Sequence, residues 1–162
     1  MRHAKSDWSV PGRKDFDRPL NDRGKESAPL MGKFLDQTSN TPDLILASTA
    51  RRVVQTIEGA SSSWSRKPDI TYLDKIYGGS ANTYLEVLQS YGGNAETVMI
   101  TGHNPTMEET AAIISIGTNG QILRFPTAAI ACFEMPDISW KSMGSQSGTL
   151  KWFVTPKLLS KI

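Results

Sequence analysis

The sequence predicts an α/β fold, a mostly parallel sheet covered by helices on both faces. Segments of strand character alternate along the chain with segments of helical periodicity. The two clearest strand segments, residues 43–47 and 97–101, centre on continuous apolar runs, as strands buried on both faces require. The length, 162 residues, predicts one domain over residues 1–162, with enough chain to bury about two-thirds of its unfolded surface.

Residues 6–21, rich in Pro, Gly, Asp and Arg, read as a surface loop. Ala28, Met31, Phe34 and Leu35 then share a helical face, and Pro29, best tolerated in a first turn, predicts a start near Ser27. After the strand at 43–47, Val53, Ile57, Ala60 and Trp64 give a second helix. Ser80 caps a third, with Tyr84, Leu85, Leu88 and Tyr91 on one face and Gly92-Gly93 as its stop. The strand at 97–101 runs into Gly102-His103-Asn104-Pro105, with Pro105 in the first turn of a helix ending near Gly117. Residues 129–135 and 150–155 read as two strands around the turn-rich stretch 143–148, and Trp140 and Trp152 as core and edge packing.

Composition narrows the function. Apolar residues make up 38% and charged residues 21%, which excludes disordered and fibrous classes. The net charge is +2 with the basic residues scattered, so no nucleic-acid surface is expected. Cys132 is the one cysteine and can form neither an internal disulfide nor a metal site alone. No apolar run approaches the ~18 residues of a membrane span, and the polar opening is no signal peptide. A cytoplasmic, monomeric protein is the expectation.

In such folds ligands gather at the carboxyl ends of the strands. The residues just past those ends are polar and basic: Ser48, Arg51 and Arg52 after the first, His103 and Asn104 after the second. The only other histidine is His3, preceded by Arg2. Each has an ordinary reading: a frayed tail for His3, a turn and cap for residues 102–105, solvated charges for the arginines. Brought to one rim, they would suit a phosphoryl group, because guanidinium forks match its oxygens and helix N-termini favour its charge. No cluster has metal-ligand spacing, and there is no Gly-rich loop ending in Lys-Ser/Thr.

Arg2-His3-Ala4 with Lys5-Ser6-Asp7-Trp8 resembles the signature of the histidine phosphatase superfamily, also called phosphoglycerate mutase-like, in the form of its small SixA-like branch of phosphohistidine phosphatases. The resemblance continues through residues 17–21, 23–24, 48–56, 102–105 with Glu108, 125–129 and 155–157. It implies a three-layer α/β fold with no cofactor and no metal. It also implies that His3 is a nucleophile transiently phosphorylated, that Arg2 and Arg52 bind phosphate, and that His103 contacts the phosphoryl group. Arg52 rather than Arg51 stands four residues before the matching Thr56. The partner implied is a histidine-phosphorylated signalling or phosphotransfer protein. Imidazole, with a pKa of about 6.5, leaves without a strong acid, which fits the branch's lack of the usual carboxylate. Asp74 is then a solvated loop residue rather than a proton donor.

The family's apolar strand before this motif has no counterpart ahead of Met1, so either the true start lies upstream or the chain lacks most of that strand. The expectation is a truncated first strand, with neighbouring ladder groups unpaired and His3 poorly anchored. Two alternatives to a phosphohistidine phosphatase follow: a non-catalytic phosphate- or phosphoprotein-binding domain, or a small-molecule phosphomonoesterase.

Overall fold

A computed structural model describes residues 1–118, 120 and 122–161. Its centre is a three-stranded parallel sheet of β1 (Leu44–Ala47), β2 (Asp69–Tyr72) and β3 (Val98–Thr101), in the order β2-β1-β3. Ala47 pairs with Thr101, so the carboxyl ends of β1 and β3 lie side by side. Alternation along β1 separates two cores. Ile45 and Ala47 face α1 (Asp22–Gln37) and α2 (Arg51–Ser61), packing with Met31, Leu35, Val53 and Ile57. Leu46 faces the other way, among Tyr84 and Val87 of α4 (Ala81–Tyr91) and Met107 and Ala111 of α5 (Thr106–Ile116). The helix–sheet–helix layering is the expected one. An antiparallel pair, β4 (Ile130–Glu134) and β5 (Thr149–Val154), and the short α6 (Pro156–Leu159) complete it. No described helix is long and apolar enough to cross a membrane.

Four expectations need correction. The first helix begins at Asp22, not near Ser27, because the Asn21 side chain accepts the Gly24 N–H at 2.9 Å and caps an extra turn. Pro29 is carried inside the helix on its exposed side, while Ala28 and Met31 bury the other. The second helix ends at Ser61. Trp64 lies beyond it and is held by its own indole N–H, which donates to the Gly32 carbonyl at 2.8 Å. The sequence pattern does not mark β2 and α3 (Asp74–Tyr77), since the edge strand Asp69-Ile-Thr-Tyr72 is mostly exposed and lacks a buried strand's signature.

The fourth correction concerns how the first strand is anchored. It is short, but residues 1–3 are knitted to both neighbours. Arg2 forms a parallel bridge with Gly102, His3 N–H donates to the Gly102 carbonyl at 3.1 Å, and Gly102 N–H donates to the Met1 carbonyl at 3.2 Å. On the other side Arg2 N–H donates to Ala129 O and Ala128 N–H to His3 O, both at 3.0 Å. His3 is therefore anchored on both edges. Away from this bridge a cavity of about 870 Å³ separates β3 from β4, lined by Met1, Val98, Ile100, Ala131 and Phe133 among others.

Candidate active site

Three chain segments meet at the carboxyl rim of the sheet: residues 1–4, the turn from β1 into α2, and the turn from β3 into α5. Parallel pairing aligns the last two, and the Arg2–Gly102 bridge adds the first. His3 and His103 come within 5.2 Å, ring centre to ring centre, with Arg52 against His103. The four residues singled out by sequence are thus gathered at one site, with Arg2 entering beside His3. Arg51 points to solvent, as expected. Asp74 is exposed at the start of α3, where its carboxylate accepts from the Thr49 hydroxyl at 2.7 Å. Among the described residues no group of three or more His, Cys, Asp or Glu is placed to hold a metal.

The hydrogen bonds fix both imidazole tautomers. A carbonyl can only accept, so the 2.7 Å contact between His3 Nδ1 and Ala4 O puts the proton on Nδ1 and leaves Nε2 as the free base. Ala4 is itself held by its N–H donating to the Thr56 hydroxyl at 2.9 Å. A guanidinium can only donate, so His103 Nδ1 accepts from Arg52 at 3.2 Å. The proton of His103 then lies on Nε2, which donates to Ser48 Oγ at 2.9 Å. Its backbone N–H donates to the Tyr84 hydroxyl at 3.2 Å.

Both rings are 8% exposed, and burial is the main force against their charged forms. It lowers His3 to about 3, with Arg52, His103 and Arg2 pushing the same way against the hydrogen bond to Ala4. Burial and then Arg52 lower His103 to about 4, opposed by Asp15. At neutral pH both are uncharged, the state a nucleophile needs. The same shifts link stability to pH. The unfolded histidines protonate near pH 6.5 and the native ones far lower, so their stabilisation is complete above pH 6.5 and is lost as pH falls toward the native values, by ~1.4 kcal/mol per pH unit for each. In urea denaturation His103→Asn is expected to flatten the decline between pH 6.5 and 5. Parallel curves for variant and parent would contradict burial of a neutral ring.

The cationic side is arranged by contacts that local sequence patterns do not show. Arg52 is buried, donating to the Asp15 backbone carbonyl at 2.6 Å and to Asp15 Oδ2 at 2.9 Å. Tyr77 donates to the same oxygen at 2.9 Å, and Arg18 lies 3.5 Å from Oδ1. Burial works to raise the Asp15 pKa, but Tyr77, Arg52 and Arg18 outweigh it and hold the carboxyl below its usual range, hence ionised. Arg2 donates to Phe125 O at 2.6 Å, while its buried Nε has no acceptor among the described residues. Asn104 donates to Glu108, which also accepts from Phe125 N–H, lashing the turn after β3 to that segment.

Gly102 is needed for close approach. A Cβ there would collide with the Tyr84 hydroxyl, which supports both His103 N–H and the Ile76 carbonyl. Gly102→Ala is expected to cost about 1–3 kcal/mol in denaturant unfolding and to reduce turnover by displacing His103. An unchanged midpoint would show that the Tyr84 ring has room to retreat.

The family model of the histidine phosphatase superfamily (branch 1) matches residues 1–76. A crystal structure from Agrobacterium tumefaciens, of a protein assigned as the phosphohistidine phosphatase SixA, is 33% identical with a TM-score of 0.78, over 96% of this chain and 95% of that one. An uncharacterized Mycobacterium tuberculosis protein is 30% identical over 97% of this chain and its own full length. A structure of the protein histidine phosphatase SixA complexed with tungstate shares the fold, with a TM-score of 0.82 at 23% identity over 98% of this chain and 96% of that one. Matches to both sequence and fold along nearly the whole length place the chain in the histidine phosphatase superfamily, in its SixA-like group.

Proposed function

We propose that the protein is a phosphohistidine phosphatase that hydrolyses phosphohistidine on proteins through a phosphorylated His3. The observation that carries this is the His3–Ala4 hydrogen bond, which presents an uncharged Nε2 beside a cluster of guanidinium groups. His3 Nε2 forms a bond to phosphorus as the substrate's P–N bond breaks. The leaving imidazole takes that electron pair and is protonated by solvent. Water then attacks phosphorus, the His3–phosphorus bond breaks, and inorganic phosphate leaves with His3 neutral again. Arg2 and Arg52 bind the phosphoryl oxygens, each charge-assisted hydrogen bond contributing about 1.5–3 kcal/mol. An oxygen near Arg2 would also give its buried Nε an acceptor. His103 contacts the phosphoryl group through its Nε2–H, which exchanges Ser48 Oγ for a phosphoryl oxygen while Arg52 keeps its place on Nδ1.

Asp15 bears on the choice of leaving group. This carboxylate is held ionised by Tyr77 and Arg52 and has no proton to give to an alkoxide. Imidazole needs none of that help, so phosphoramidates suit this rim better than sugar phosphates. The test is competition: a histidine-phosphorylated carrier protein and a series of phosphomonoesters offered together, with kcat/KM measured for each. Preference for the phosphoprotein is expected. Preference for the esters would favour a small-molecule phosphomonoesterase, and phosphate binding without turnover of either would favour a binding domain.

A further inference from the structure

We propose that Asp15 is a positioning residue that acts as an internal counter-anion, sharing Arg52 with the phosphoryl group and weakening the hold of the site on its phosphate product. The inference rests on the reading of this rim as a phosphate site. Asp15 belongs to a single 3-10 turn, Asp15–Asp17, in the loop before α1. Its backbone and side chain take donors from both terminal nitrogens of Arg52, at 2.6 and 2.9 Å. One of those nitrogens, Nη2, is also the one that reaches His103 Nδ1 at 3.2 Å. A tetrahedral anion entering between the two imidazoles therefore meets an arginine already engaged by a carboxylate.

That arrangement has two consequences. The guanidinium plane is fixed before substrate arrives, because Tyr77 from α3 and Arg18 from the loop hold the carboxylate in turn. The fixed negative charge also repels any second anion nearby, so affinity for inorganic phosphate is lower than the cationic groups alone would give. A phosphatase gains from this, since product leaves sooner.

A purely structural tether is the competing role, and the charge separates the two. Asp15→Asn keeps an oxygen acceptor for Arg52 and Tyr77 but removes the charge. Tyr77→Phe cuts the tie to α3 and keeps the charge. Calorimetric titration of inorganic phosphate at pH 7.5, on the full chain, reads the difference. Asp15→Asn is expected to bind phosphate about tenfold tighter than the parent, while Tyr77→Phe stays within about twofold. Asp15→Ser, neutral and small at a half-exposed position, gives a second reading of the same sign should the Asn variant fail to fold. In steady-state assays the neutral variants show a correspondingly lower inhibition constant for phosphate. Equal or weaker phosphate binding by both neutral variants overturns the counter-anion role and leaves the tether. No phosphate binding by the parent overturns the phosphate site itself, so the two failures are distinct.

Discussion

Replacing His3 by alanine is expected to lower turnover of a phosphohistidine protein by at least about 10³-fold while leaving the chain folded and able to bind phosphate. On the proposed mechanism the ring contributes the attacking nitrogen, but the anchoring of residue 3 is by backbone. Its N–H and carbonyl bond to Gly102 and Ala128, and neither contact needs the imidazole. His3 is also a buried neutral ring whose desolvation works against its charged form, so its removal takes away no paired charge. Circular dichroism and phosphate titration of the variant check the second half of the expectation. Loss of phosphate binding together with activity would mean that His3 supports the site rather than attacks in it. Turnover near that of the parent would remove the covalent route.

Arg52→Ala should be nearly as severe, lowering kcat/KM by about 10²–10³-fold, or roughly 3–4 kcal/mol of transition-state stabilisation. The loss has two parts. On the proposed mechanism the phosphoryl oxygens lose a planar pair of donors, and Asp15 and His103 lose the group that orients them. Arg52→Lys restores a charge without the fork, so only part of the activity is expected back. A pH profile separates these losses from simple unfolding. Arg52 is among the charges that hold His3 low, with native values of about 3 for His3 and about 4 for His103. The parent should therefore show no inflection near pH 6.5. Without the guanidinium both imidazoles protonate more easily, and the acid limb of kcat/KM moves up in pH, though burial still keeps it below 6.5. A limb that stays in place, or moves down, would show that Arg52 does not face His3 in the working enzyme.

How far the sequence reveals this molecule follows from where each signal lies. β1 and β3 are legible because their apolar runs are continuous: β1 is buried on both faces from Ile45 on, and β3 alternates buried with half-buried positions. Arg2, His3, Arg52 and His103 are legible because strand ends and the family motif mark them. Asp15 is not. It sits in a stretch that reads only as a Pro- and Gly-rich loop, and its significance comes from an arginine thirty-seven residues away. Tyr77 is hidden similarly: α3 is four residues long, too short for periodicity, and its partner lies sixty-two residues off. The start of α1 is misread because a local rule, proline in the first turn, outweighs a cap whose side chain happens to reach Gly24. The firm seating of His3 is equally invisible, being a matter of backbone hydrogen bonds to residues 102 and 128. Local pattern thus yields the candidate site side chains, and long-range contacts yield what holds them in place.

The most direct test is to mix the enzyme briefly with a phosphorylated histidine donor, quench it in alkali and locate the phosphate by mass spectrometry and 31P NMR. Because Nδ1 of His3 is committed to the Ala4 carbonyl, the expected result is an acid-labile phosphate on Nε2 of His3, absent from His3→Ala. Turnover with no phosphate on His3, or phosphate on Nδ1, would contradict the nucleophile and its orientation.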